Sequence, residues 1–163
     1  MSSHDAVLAR LRAAGLELPP AMPAVASYVP FTIAGELVHV AGQGPFRNGK
    51  LDYVGRIGED IDAEQAKASA RLVTLNVLAQ AAAATQAKFG QPALHRARCV
   101  RLGIFLNCVD GFIPMAAIAD AASDVIVTAL GANGLHCRTV AGQPVLPMQT
   151  SVEIDGLFLL DRT

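Results

Sequence analysis

The residues best placed to do chemistry are the charged ones that interrupt apolar strands. Arg138 lies in Leu135-His136-Cys137-Arg138-Thr139-Val140, followed by Leu146-Pro147 and then by Val152-Glu153-Ile154-Asp155. A guanidinium is planar, permanently charged and able to grip a carboxylate through two parallel hydrogen bonds, so an arginine inside an apolar strand is expected to have a specific anionic partner. Two partners stay open at this point: a ligand carboxylate, or Glu153 in a structural ion pair. Cys137 adjoins this cation, which would lower a thiol pKa, but successive strand residues point to opposite faces, so Cys137 is expected to be a buried apolar residue. His136 would share the face of Arg138 in a regular strand. His4, His39, His95 and His136 have no metal-like spacing, and no metal site is expected.

The elements that must hold these residues can be read from periodicity and punctuation. Val7, Leu8, Leu11 and Ala14 have helical spacing and stop at Gly15 and Pro19-Pro20, which sets residues 1–20 apart as an N-terminal helical appendage to a single domain over 21–163. Tyr28 to Ile33 and Leu37 to Gln43 flank a turn at Ala34-Gly35-Glu36 and predict a β-hairpin. Phe46 to Gly58 reads as a loop with a short strand and a turn at Asn48-Gly49. Asp62 and Gln65 predict a capping box, from which Ala66, Ala70, Val73, Val77 and Ala81 run at helical spacing to about Thr85. His95 to Cys108 predicts a central, mostly apolar strand, and Met115 to Leu130 a second helix closed by Gly131. Strands near Leu135 to Gly142 and Ser151 to Leu160 complete the order β-β-α-β-α-β-β. That order is an α+β layout, with both helices on one face of a mixed sheet.

Composition narrows the function classes. The chain has 163 residues, 52% of them hydrophobic and 17% charged, with a mean hydropathy of +0.38. Such an apolar surplus, together with a sheet face left uncovered, predicts a homo-oligomer. A net charge of −1 gives no field to attract a phosphate backbone, so nucleic acid is not the expected partner. Cys99, Cys108 and Cys137 are odd in number and lack C-x-x-C spacing, which fits a reducing cytosol better than a disulfide framework. Met1 to Leu18 is interrupted by charges, and no later stretch is expected to span a membrane. A cytoplasmic protein is expected.

With these residues in order, the chain resembles the Rid family, the reactive intermediate deaminases also known as YjgF-like or endoribonuclease L-PSP proteins, over about Tyr28 to Leu160. The resemblance is carried by Tyr28, Gly42-Gln43 with Pro45, Ala66 to Arg71 with Asn76-Val77-Leu78, Arg138-Thr139, Leu146-Pro147 and Val152-Glu153-Ile154-Asp155. It is nearest to a branch reading Gly-x-His-Ala-Arg-Ser, here Gly134-Leu135-His136-Cys137-Arg138-Thr139, whose substrates are mostly unassigned. The resemblance implies a chorismate-mutase-like fold, a homotrimer with clefts between subunits, and hydrolysis of reactive enamine or imine acids such as 2-aminoacrylate to 2-keto acids and ammonia, with no cofactor.

The same resemblance assigns roles. Arg138 would clamp the substrate carboxylate, and Glu153 would hold or activate the attacking water, a task suited to a partly buried carboxylate of raised pKa. Tyr28 would offer a hydroxyl at the cleft mouth, Gly42 would let the backbone approach the ligand, and the main-chain carbonyl of Val140 would bind the nitrogen or the water. Two departures stand out: Ala41 replaces a serine before Gly-Gln, and Ala116 an asparagine early in the second helix. Fewer donors predict a more apolar ligand, or binding without turnover. The alternatives are therefore a non-catalytic trimeric binder or sensor of small carboxylates and, less favoured, an endoribonuclease or translation inhibitor.

Overall fold

Asp62 starts the longest helix in the way its sequence predicts. Its carboxylate accepts from the backbone N–H of Gln65 at 2.8 Å, and the Gln65 side chain accepts from the backbone N–H of Asp62 at 3.0 Å. In the computed structural model, which describes residues 3–160, this helix runs Ala63–Phe89. It passes the expected end near Thr85 because Gln86, Ala87 and Lys88 are good helix formers, and it stops at Gly90, whose φ of 76° suits a residue without Cβ.

The full order is α1 (Ser3–Ala13), β1 (Phe31–Ala34), β2 (Leu37–Gln43), β3 (Phe46–Arg47), β4 (Lys50–Leu51), α2 (Ala63–Phe89), β5 (Ala97–Asn107), α3 (Met115–Leu130), β6 (Cys137–Gln143) and β7 (Val152–Leu160). Five strands form one sheet in the order β1-β2-β7-β5-β6. β5 and β6 are parallel, joined across α3, and the other pairs are antiparallel. The architecture is thus a mixed α+β sheet with α2 and α3 on one face. β5 is interior as expected, but the middle strand is β7.

β7 shows why one face is finished within the chain. Val152, Ile154, Gly156, Phe158 and Leu160 are buried, while the alternate residues Glu153, Asp155, Leu157 and Leu159 are only partly covered. The buried set packs with Val38 and Val40 of β2, Leu102, Ile104 and Leu106 of β5, and Val73, Val77, Ile118, Ala122 and Val125 of the helices. Met115–Gly134 is long and apolar enough, by length and composition alone, to cross a membrane, with a mean hydropathy of 1.5, a property that the core helix of a globular domain shares. In the fold it is α3 and its closing turn, with Ile118, Ala122, Val125, Ile126 and Ala129 in the core.

Two irregularities decide which side chains reach the other face. β2 carries one extra residue against β7 between Val40 and Gln43, placing the bulge at Ala41-Gly42. β5 carries one between Cys99 and Arg101. Before it Ala97 and Cys99 are buried, and after it Leu102, Ile104 and Leu106, so the extra residue turns Arg101 onto the open face.

Polar groups of α2 fix the loops around the first bulge. Asn76 donates to the carbonyls of Gly44 and Phe46, both at 3.0 Å, and Gln80 to that of Met22 at 2.7 Å. The N-terminal helix α1 packs Val7 and Leu11 into the core, and the Arg10 guanidinium donates to the Ala129 carbonyl in the last turn of α3.

Candidate functional site

Arg138 pairs in register with Leu102, whose side chain is buried under the helices, so Arg138 also points to the helical face. Its Nη1 donates to Ser123 Oγ at 2.8 Å, and its Nη2 to Asp120 Oδ1 at 2.7 Å and to the Ala116 carbonyl at 3.5 Å. Ala116, Asp120 and Ser123 lie at i, i+4 and i+7 on α3, one helical face presented to one guanidinium. The anionic partner is therefore Asp120. The ion pair with Glu153 raised by the sequence does not form, because Glu153 points the other way.

Glu153 pairs with Phe105 on the open face, half-buried over the bulge at Gly42. A Cβ on Gly42 would overlap the Glu153 carboxylate, so glycine is what gives this carboxylate its place. Burial, and then the neighbouring Asp155, raise the Glu153 carboxyl above the usual carboxylate range. Asp155 accepts from Arg101 Nη1 and from the Gly103 N–H, both at 3.2 Å. Arg101 carries no mark of this role in the sequence, because an apolar run gives no sign of the bulge that exposes it.

The expected site residues thus fall into two groups. Arg138 and Val140 share the helical face of β6, an edge strand, and Val140 packs half-buried against the core. Gly42 and Glu153 meet at the bulge. Tyr28 does not open the first strand: it lies three residues before Phe31 in a bend and is exposed. Its N–H donates back to Ala26 at 2.8 Å, and Pro30 has no N–H to offer a strand partner, although its carbonyl accepts from Ala41. Tyr28, Gly42, Gln43, Gly44, Asn76 and Gln80 line a cavity of 30 Å³, room for little more than water. A wider groove of 590 Å³ on the open face is lined by Thr32, His39, Ala41, Gly42, Arg101 and Asp155.

Arg138 and Glu153 do not meet within one copy of the chain. Their register partners on β5 are three residues apart and they flank β5 on either side. That spacing separates them by roughly 10 Å along the sheet and roughly 10 Å across it, on opposite faces. Cys137, expected to be buried, is exposed. It lies beside Arg101 in register, and its Sγ donates to the Val100 carbonyl at 3.3 Å. His136 stays near Arg138, bonded to Ser123 Oγ at 3.1 Å and to the Gly134 carbonyl at 2.6 Å.

Known proteins share this arrangement of elements. Residues 8–159 match the family described as "YjgF/chorismate_mutase-like, putative endoribonuclease". Protein TCP17 of Trypanosoma cruzi is 32% identical over 158 residues, covering 96% of this chain and 95% of that protein. Among solved structures, a protein of unknown function from Agrobacterium tumefaciens is 36% identical with a TM-score of 0.86, over 98% of this chain and 95% of that one. A "putative endoribonuclease" from Shewanella oneidensis MR-1 is 34% identical with a TM-score of 0.84, over 94% of this chain and 99% of that one. The profile and these identities together establish that the chain belongs to the YjgF/chorismate mutase-like family.

Proposed function

We propose that this protein hydrolyses small reactive imine or enamine carboxylates to 2-keto acids and ammonia, in clefts formed between copies of a homotrimer. One observation carries the reading. A fixed guanidinium and a carboxylate of raised pKa, the pair needed for this chemistry, lie on opposite faces of one sheet, as expected of a site completed by a neighbouring copy.

In this reading Arg138 holds the substrate carboxylate and so aims the imine carbon at a water. Glu153, ionised, takes a proton from that water as its oxygen bonds to the carbon and the C=N π pair moves to nitrogen. The proton passes to the nitrogen to give the carbinolamine, and as its C–N bond breaks the carbinolamine hydroxyl gives up its proton, carried by Glu153 to the departing nitrogen, so that ammonia leaves and a ketone remains. A carboxylate raised toward neutrality is better matched to this proton transfer than an exposed one. The apolar, partly covered Phe105, Leu157 and Leu159 on the face of Glu153 fit burial against other copies.

A second reading, a trimeric binder of small carboxylates without turnover, is favoured by Ala41 and Ala116. At Ala116 the chain offers Arg138 only a backbone carbonyl. Cleavage of RNA is not favoured by a net charge of −1. Hydrolysis of a 2-imino acid, measured for the wild type beside Arg138→Ala, separates these. Loss of turnover in the variant supports the enzyme, equal rates remove Arg138 from the mechanism, and binding of 2-ketobutyrate that depends on Arg138 without imine turnover selects the binder.

A further inference from the structure

Arg138 is held by two groups of α3 that differ in kind. Ser123 is half-buried and belongs to a chain of hydrogen bonds with a defined direction. The Gly134 carbonyl can only accept, so the His136 Nδ1 facing it at 2.6 Å carries the hydrogen. In the neutral ring Nε2 is then an acceptor, and the Ser123 hydroxyl donates to it across 3.1 Å. That leaves the Ser123 lone pairs for the Arg138 N–H at 2.8 Å. Each member fixes the next, beginning from a backbone atom. Gly134 packs closely on α3, where an added Cβ would lie 2.6 Å from the Ile126 carbonyl oxygen.

Asp120 is the opposite case. Its side chain is 64% exposed while that of Arg138 is 25% exposed, so a carboxylate open to water pairs with a largely covered guanidinium. Nothing holds the Asp120 carboxylate except Arg138 itself among the hydrogen bonds of the described residues. An ion pair so exposed contributes little to folding. It does place a carboxylate on the Nη2 N–H that an arriving ligand carboxylate would use.

We infer that Asp120 is an internal stand-in for the ligand carboxylate, one that a ligand displaces from Arg138, and that Ser123 and His136 are positioning residues that keep the guanidinium aimed during the exchange. The inference rests on reading Arg138 as a carboxylate clamp, and adds that Asp120 determines how tightly the clamp holds. The site is then tuned toward weak, exchangeable binding of small carboxylates. It disfavours neutral amides and esters, which cannot replace a full negative charge on Arg138.

Calorimetric titration of the full chain with 2-ketobutyrate tests this. Asp120→Asn, which keeps the shape and removes the competing charge, is expected to bind about two- to fivefold tighter than wild type, the scale of an exposed ion pair. In turnover of a 2-imino acid the gain falls on KM. Ser123→Ala is expected to weaken binding and Ser123→Thr, which retains a hydroxyl, to restore it. Asp120→Asn binding no more tightly than wild type overturns the inference while Arg138→Ala still abolishes binding. Equal binding by wild type and Arg138→Ala, or none by either, overturns the clamp reading and this inference together.

Discussion

The two faces of the sheet are built differently. Under α2 and α3 every inward side chain of β7 is apolar and buried, and Arg138, a charge that β6 carries at the margin of that face, has its partners on α3. The open face instead carries Glu153, Asp155, Arg101 and His39 among Phe105, Leu157 and Leu159. There the carboxylates sit over glycines: Gly42 beneath Glu153, and Gly103 where a Cβ would lie 2.7 Å from both Asp155 oxygens. The first face is packed within one copy, whereas the second leaves charged and apolar side chains only partly covered. In the proposed reading the open face supplies the Glu153 carboxylate and is covered by another copy, while Arg138 is offered from the helical side of the edge strand.

The strongest way to break this contrast is to cut apolar bulk from neighbouring residues of β7. Phe158→Ala, on the helical face where the ring is 0% exposed, is expected to cost about 3–5 kcal/mol in denaturant unfolding. Leu157→Ala, one residue away on the open face, is expected to cost about 1 kcal/mol or less in the unassembled chain. Similar losses at both positions would abolish the distinction. Gly42→Ala comes next. The atoms its Cβ would meet are the end of the flexible Glu153 side chain, so stability should barely change. Moving the carboxylate by about 1 Å is expected to lower turnover about 100-fold. A large drop in Tm with unchanged activity would show that Gly42 serves the fold.

Smaller, but specific in sign, is the pH dependence of Glu153. Burial raises its folded carboxyl above the unfolded value, so the folded protein binds this proton more tightly than the unfolded chain does. Stability from this group is therefore greatest below the ordinary carboxylate range and declines as pH rises through the folded value. Glu153→Gln is expected to remove that decline and to melt above wild type at neutral pH, as thermal melts across the acid range would show. A variant less stable than wild type at neutral pH would mean that the ionised carboxylate is stabilised by its surroundings.

The helices were legible in the sequence because their signals are local. Asp62 and Gln65 name a capping box, and Met115 to Leu130 is bounded as read. The order of elements along the chain was also accessible, through spacing and turn signals. Four things were not, each for a physical reason. The β5 bulge that exposes Arg101 leaves no mark in an apolar run, since either face accepts Val100. The partner of Arg138 lies 18 residues upstream on a helix, a contact set by packing, not by sequence distance. Tyr28 was drawn into the first strand because Tyr and Val favour strands, whereas Pro30 delays pairing to Phe31. Cys137 does point to the face opposite Arg138, as strand alternation requires, but its strand is at the sheet edge and that face leaves it exposed.

The central claim is that Arg138 and Glu153 serve one ligand only across two copies. Subunit mixing tests it most directly. Arg138→Ala and Glu153→Gln proteins, each expected to be nearly inactive on a 2-imino acid, are unfolded together in equal amounts and refolded. If each cleft takes its arginine from one copy and its glutamate from the next, random assembly leaves about a quarter of clefts with both intact, and about a quarter of wild-type activity returns. No recovery above the two parent variants, in mixed oligomers that have demonstrably formed, would contradict the account.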